Sequence, residues 1–329
     1  MCTSAQAEGH ASWAEYRKTF ISKDGRVIDY GQEHASTSES QGYGMLLAVI
    51  NNDRRTFDSL WNWTRSNLQV RQDNLIAWLW GKRDNGSWEV KDYNNATDGD
   101  TIIAMSLLKA AERWGKDVYK KDAQRIVISM REKLAVQKKG KTFLLPGYFG
   151  FSNDGSITLN PSYIIPTAYS RFTEVDDKDF WQNVHRDGLE LLRAECFGKT
   201  CLPADWVQLR GNGLELAEGR PARFGHDAIR TILHASWASE KLPTGVTIVI
   251  DNYKDKGSIP LWVDLKSGEV SKRNAQAGYY AIYGLAAKML DDPRTSRRLF
   301  DEAEKNLKSE KDNYYSYSLY LLSHIKERL

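Results

Sequence analysis

Thr37-Ser-Glu-Ser-Gln-Gly-Tyr-Gly-Met45 runs without interruption into the apolar Leu46-Leu-Ala-Val-Ile50. The pattern sets one carboxylate, Glu39, at the mouth of a helix. Two glycines follow, Gly42 and Gly44, whose missing side chains would leave backbone room for a bulky ligand. A single acid at a helix entrance carries no chemistry by itself. Two further acidic stretches, 97–100 and 225–230, also fall at helix entrances. If the three entrances meet at one end of a helical barrel, their acids share one site.

The segments on either side read as helices. Ser12 to about Ile21 carries Trp13, Tyr16 and Phe20 at helical spacing. Asp53 caps a helix whose apolar face is Phe57, Leu60, Trp61 and Leu68. Apolar Leu75 to Lys82, the turn signal Asp84-Asn-Gly86 and Trp88-Glu-Val90 predict a small hairpin. Helices are expected over 97–115, 118–135, 177–196, 223–237, 274–289, 293–307 and 313–326, with another opening at Asn160-Pro-Ser-Tyr163. The stretch 136–159 reads as loop with turns at 138–141 and 153–155, and 244–253 is ambiguous. Eleven or twelve helices without βαβ alternation or an internal repeat predict an all-α fold with a few short strands in loops, as a single domain over 12–329.

Composition narrows the function. In 329 residues, 46 Lys+Arg against 43 Asp+Glu leave a net charge of +3, too balanced for a nucleic-acid binder. No run approaches the ~20 apolar residues that span a bilayer, so no membrane insertion is expected. Eleven tryptophans and sixteen tyrosines in a polar chain suit a groove that stacks on sugar rings; the mean hydropathy is −0.57. Cys196 and Cys201 could equally be a small disulfide or two free thiols, and they lack the histidines of a zinc set. No metal or cofactor is expected. Met1-Cys-Thr-Ser-Ala-Gln6 reads as a start methionine before a mature sequence, so an export signal is expected to have been trimmed and residues 1–11 to be frayed.

Each acid has a plain structural role open to it. Ser36-x-x-Glu39 matches a capping box. Thr97 can cap its helix while Asp98 and Asp100 answer the positive end of the dipole, and Asp227 can do the same in its own first turn. The functional role needs convergence. Cleaving a glycosidic bond with inversion takes a protonated carboxyl to load the leaving oxygen and a carboxylate to activate water, ~6.5–9.5 Å apart. Helix N-termini favour the base and oppose the acid, whose pKa must rise; neighbouring carboxylates and a dry aromatic wall supply that rise.

Six motifs occur in order: 37–45, Ala77-Trp-Leu-Trp-Gly-Lys82, Ala96-Thr-Asp-Gly-Asp100, Asn160-Pro-Ser-Tyr163, Ala204-Asp-Trp206 and Asp227-Ala-Ile-Arg230. Together they resemble glycoside hydrolase family 8, particularly its bacterial cellulose-synthesis endoglucanase branch, over residues 12–325. The resemblance implies an (α/α)6 barrel with an open cleft at one end, an inverting mechanism and β-1,4-linked glycan substrates. Glu39 would be the general acid and Asp227 the general base. The Asp98-Gly-Asp100 pair would grip and distort the sugar at the scission point, with Asp100 preferred over Asp98. Tyr163 would help position the water, and Arg230 would orient the base or pair with Asp98. His226 departs from the aromatic residue often found before the base, leaving polymer preference open.

Trp78, Trp80, Trp206, Tyr163 and Tyr43 are the expected substrate contacts, with Trp88 and Trp237 assigned to the core. Of Tyr279, Tyr280, Tyr314, Tyr315 and Tyr317, at most two are expected at the cleft. The resulting expectation is a monomeric, cofactor-free endo-β-1,4-glucanase, periplasmic or secreted, with a functional association with a bacterial cellulose synthase complex. Its rivals are a relative acting on xylan, chitosan or mixed-linkage glucan, a non-catalytic glycan-binding component, and a lyase on a similar helical toroid.

Overall fold

The structure, a computed structural model, describes residues 12–153, 155–211, 213–325 and 329. The expectation for residues 1–11 therefore lies outside the described residues. Twelve α-helices are present among those described: α1 (Trp13–Phe20), α2 (Ser38–Ile50), α3 (Arg54–Asn67), α4 (Thr97–Trp114), α5 (Asp117–Leu134), α6 (Pro166–Phe172), α7 (Lys178–Ala194), α8 (Ile229–Trp237), α9 (Val246–Lys256), α10 (Ala277–Met289), α11 (Pro293–Leu307) and α12 (Tyr314–Ser323).

Their composition sorts them into two layers. α2, α4, α10 and α12 are apolar or small nearly all round, and almost every residue of α2 is buried. A helix without a polar face has to be covered on all sides. α3, α7 and α11 instead bury one stripe and leave charged residues on the other face. The contacts agree: α2 packs on α4, α4 on α6, α6 on α8, α8 on α10, α10 on α12, and α12 returns to α2. Six alternate helices thus close a cycle. Outside it, α1 lies on α12, α3 on α2, α5 on α4, α7 on α6, and both α9 and α11 on α10.

Close approach in the inner layer depends on the two glycines of the opening motif. A Cβ on Gly42 would meet the Ile102 side chain at 3.1 Å, and one on Gly44 would meet Val27 at 3.0 Å. Both are buried against neighbouring elements, so they serve helix packing and not the ligand room expected of them.

The joins differ from the sequence reading in places. The hairpin is longer than expected, Ala77–Lys82 pairing antiparallel with Trp88–Asn95. The stretch read as loop, 136–159, contains strand 135–138 paired with 141–144, and strand 156–159 within a four-stranded antiparallel sheet that includes 207–210 and 213–216. Its turn signals mark the hairpin corners, with Lys139 and Gly140 at φ of 56° and 71°. Asn160-Pro-Ser-Tyr163 opens only a 3-10 turn before α6, and the ambiguous 244–253 falls mostly in α9. The helix expected from Arg223 begins only at Ile229, because Arg223–Phe224 pairs with Val263–Asp264 and a turn separates it from α8. Trp88, assigned to the core, is 43% exposed and stacks on Trp80; Trp237 does pack against the core. Cys196 and Cys201 are bonded.

Candidate active site

The entrances of α2 and α4 touch directly. An ideal Cβ on Gly99 would fall 2.2 Å from Ser38 Oγ and 2.9 Å from the Ser38 carbonyl carbon, so only glycine lets the two N-termini meet. That contact sets Glu39 beside Asp98. The capping box at the head of α2 is built by Thr37 and Ser40, not by Ser36 and Glu39. Glu39 is thereby released from capping. Thr97 likewise does not cap α4; its hydroxyl donates to the Leu145 carbonyl at 2.5 Å.

Arg230, in the first turn of α8 and 2% exposed, gathers the acids. Its Nη1 donates to Glu39 Oε2 at 2.5 Å and to Asp98 Oδ2 at 2.7 Å, and its Nη2 donates to Asp227 Oδ1 at 2.7 Å. Tyr43 is fully buried behind the guanidinium, with its hydroxyl 3.4 Å from Nη1. It therefore supports Arg230 and has no exposed face for the substrate contact expected of it. Tyr163 lies with its ring 5.6 Å from the guanidinium carbon. Tyr314, at the head of α12, donates its hydroxyl to Glu39 Oε1 at 2.9 Å. Tyr315 donates to the His226 carbonyl at 2.6 Å.

Three carboxylates around one cation cannot all ionise cheaply. Burial is the largest cause raising Glu39, whose pKa stands at about 7; Arg230 opposes the rise, while Asp98 and Asp227 add to it. Asp98 is also raised, again by burial first, against the pull of Arg230. Burial opposes the charge on the guanidinium, and the acids Glu39 and Asp98 help hold its pKa well above the ordinary value. Glu39 and Asp227 keep 19% and 28% of their side chains exposed, so both face the cleft, while Arg230 lies beneath them with Asp98 buried beside it.

That cleft is a cavity of ≈ 960 Å³ whose lining includes Asp29, Glu39, His226, Asp227, Gln276, Tyr314 and Tyr315. It can hold several sugar units of an extended chain. Asp100 is not part of this group. It is fully buried, and its carboxylate accepts from the Ile76 N–H at 2.9 Å and from Asn95 Nδ2 at 2.8 Å, which ties the 77–82 strand to α4. Trp206 is half-buried, parallel to Phe151 at 5.8 Å and edge-on to Tyr163 at 6.1 Å, with Arg220 over its ring. Trp80 stacks on Trp88 under Arg26, and Trp78 is half-buried on the same strand. His226 packs edge-on against Tyr279 and Tyr315; partial burial lowers its pKa, opposed by Asp227. Tyr280 and Tyr317 point elsewhere, toward the Ile259 amide and Glu15.

The family model for glycosyl hydrolases family 8 matches residues 1–328. The chain belongs to that family. It is 36% identical over 297 residues to an endoglucanase of Cellulomonas uda, covering 89% of this chain and 81% of that one. A probable endoglucanase of Novacetimonas hansenii is also 36% identical, over 82% of this chain and 80% of its own. The crystal structure of a family 8 endoglucanase from Klebsiella pneumoniae superposes with a TM-score of 0.82 at 34% identity, covering 94% of this family 8 chain and 96% of that one.

Proposed function

We propose that this family 8 hydrolase is an inverting endo-β-1,4-glucanase acting on cellulose-like chains, with Glu39 as general acid and Asp227 as general base. One observation carries it: a single buried guanidinium joins Glu39, 191 residues before it in sequence, to Asp227, three residues before it. Glu39 holds its proton near neutral pH and passes it to the leaving glycosidic oxygen. Asp227, its charge answered by Arg230, takes a proton from water on the opposite face of the sugar, and the water oxygen forms the new bond at the anomeric carbon. Arg230 reaches Glu39 and Asp227 through different nitrogens of one rigid fork. Asp98 takes the place earlier preferred for Asp100 as the sugar-gripping acid, because it shares Arg230 with Glu39.

The closed cycle of α2, α4, α6, α8, α10 and α12 within an outer layer supports an (α/α)6 barrel forming one catalytic domain over 12–329. The Cys196–Cys201 bond supports export to the periplasm or medium. A monomer working beside a cellulose synthase complex fits an open cleft on an exported hydrolase.

A second reading has its own support. Asp29, Glu310 and Asp312 also line the cleft, and acidic subsites suit a glucosamine polymer. Reducing-end release from carboxymethyl cellulose and from chitosan separates the two. Wild type should release reducing ends from the cellulose derivative, and Glu39→Gln should lose at least ~10²-fold of that rate. Equal, negligible release by both proteins would leave a binding protein; release from chitosan alone would move the assignment to the second reading.

A further inference from the structure

Asp205 lies in the Ala204-Asp-Trp206 motif, which the site described above leaves without a role. Its side chain is buried, 4% exposed, on the far side of the turn that carries Asp227. One oxygen, Oδ1, accepts from the Gly225 N–H at 2.8 Å and from the Ala228 N–H at 2.8 Å. Those two amides bracket Asp227. The other oxygen, Oδ2, receives Arg223 Nε at 3.3 Å, and the Asp205 N–H donates to the Arg223 carbonyl at 2.8 Å. Gly225 is fitted to this approach, since a Cβ there would stand 2.8 Å from Asp205 Oδ2.

We propose that Asp205 is a positioning residue for the general base, its one carboxylate oxygen holding both ends of the turn 225–228 so that the Asp227 side chain meets the water at a fixed angle. The proposal rests on Asp227 being the base. Asp227 lies in the turn that leads into α8 at Ile229, and the Asp205 carboxylate supplies the partner that the Gly225 and Ala228 amides need there. Arg230 fixes the tip of the base from the other side. Removing one of two holds leaves the carboxylate in the site but lets its direction wander, and a misplacement of about 1 Å costs on the order of 10²-fold in rate.

Asp205→Ala, assayed on a soluble cello-oligosaccharide, should lower kcat by about 10²-fold with KM nearly unchanged. Asp205→Asn keeps an oxygen that accepts both amides, so it should recover most of the lost kcat. Gly225→Ala, which displaces Asp205 from the opposite side, should reproduce the loss. Wild-type kcat in Asp205→Ala, or Asp205→Asn as slow as Asp205→Ala, would overturn the proposal. If Asp205→Ala fails to fold, Gly225→Ala decides, and a wild-type kcat there overturns it equally. Wild-type turnover abolished by Glu39→Gln is the separate check on the hydrolase reading, so either can fail without the other.

Discussion

At Glu39, burial, like charge and a tyrosine hydrogen bond act on a single proton. Burial wins, and the pKa of about 7 makes the protonated form available in neutral solution. Because the productive enzyme needs this proton, kcat/KM should fall as pH rises through about 7 and should not recover above it. The limb belongs to Glu39 together with its raised neighbour Asp98 and not to one residue alone. A rate still at its maximum two units higher would mean that some other group donates the proton. Asp227→Asn should abolish turnover while binding an oligosaccharide almost as wild type does, read by calorimetry; loss of binding together with a lowered melting temperature would assign Asp227 a structural role. The acids themselves were legible in the sequence, since Glu39, Asp98 and Asp227 each precede an apolar helix. Their partners were not. Tyr314 reaches Glu39 across 275 residues, and nothing in its local pattern separates it from Tyr317, which turns to Glu15 instead. Asp100 and Asp98 look alike in sequence; only the positions of Asn95 and Arg230 tell them apart.

Among the elements, α2 and α4 carry the closest tolerance, where Ser38 touches Gly99. Gly99→Ala should force these two helix entrances apart, at a cost of about 1–3 kcal/mol of overpacking, and should slow turnover because Glu39 and Asp98 flank the contact. Denaturant unfolding and kcat on the same variant test this; stability and rate both at wild-type level would show that the entrances have slack. Most helices were readable from apolar spacing alone, because a 3.6-residue stripe buried on one face is a local property. The entrance to α8 was not. Its backbone is held by Asp205, a residue some twenty positions upstream, and by pairing with Val263–Asp264. Strand 156–159 went unread for a related reason: its pairing partner at 207–210 lies beyond any local window.

Over the whole molecule, the inner helices share a direction. Glu39 stands at the start of α2, Asp98 at the start of α4, Tyr163 just before α6, Asp227 just before α8, Gln276 at the cap of α10 and Tyr314 at the start of α12. Four of these six line the cavity directly. The positive ends of the helix dipoles therefore converge on the cleft and stabilise negative charge there, which suits Asp227, while burial, helped by the Asp98 and Asp227 charges, raises Glu39 against that field. Acids recurring at helix entrances were the trace of this arrangement in the sequence; the closing of the cycle was not, because α12 meets α2 through contacts that no periodicity encodes. The stereochemistry of the first product tests the facing of Glu39 and Asp227 most directly. Proton NMR during early turnover of a β-1,4-linked oligosaccharide should show the α anomer at the new reducing end before mutarotation. A β anomer appearing first would contradict the pairing of an acid and a water-activating base across the sugar.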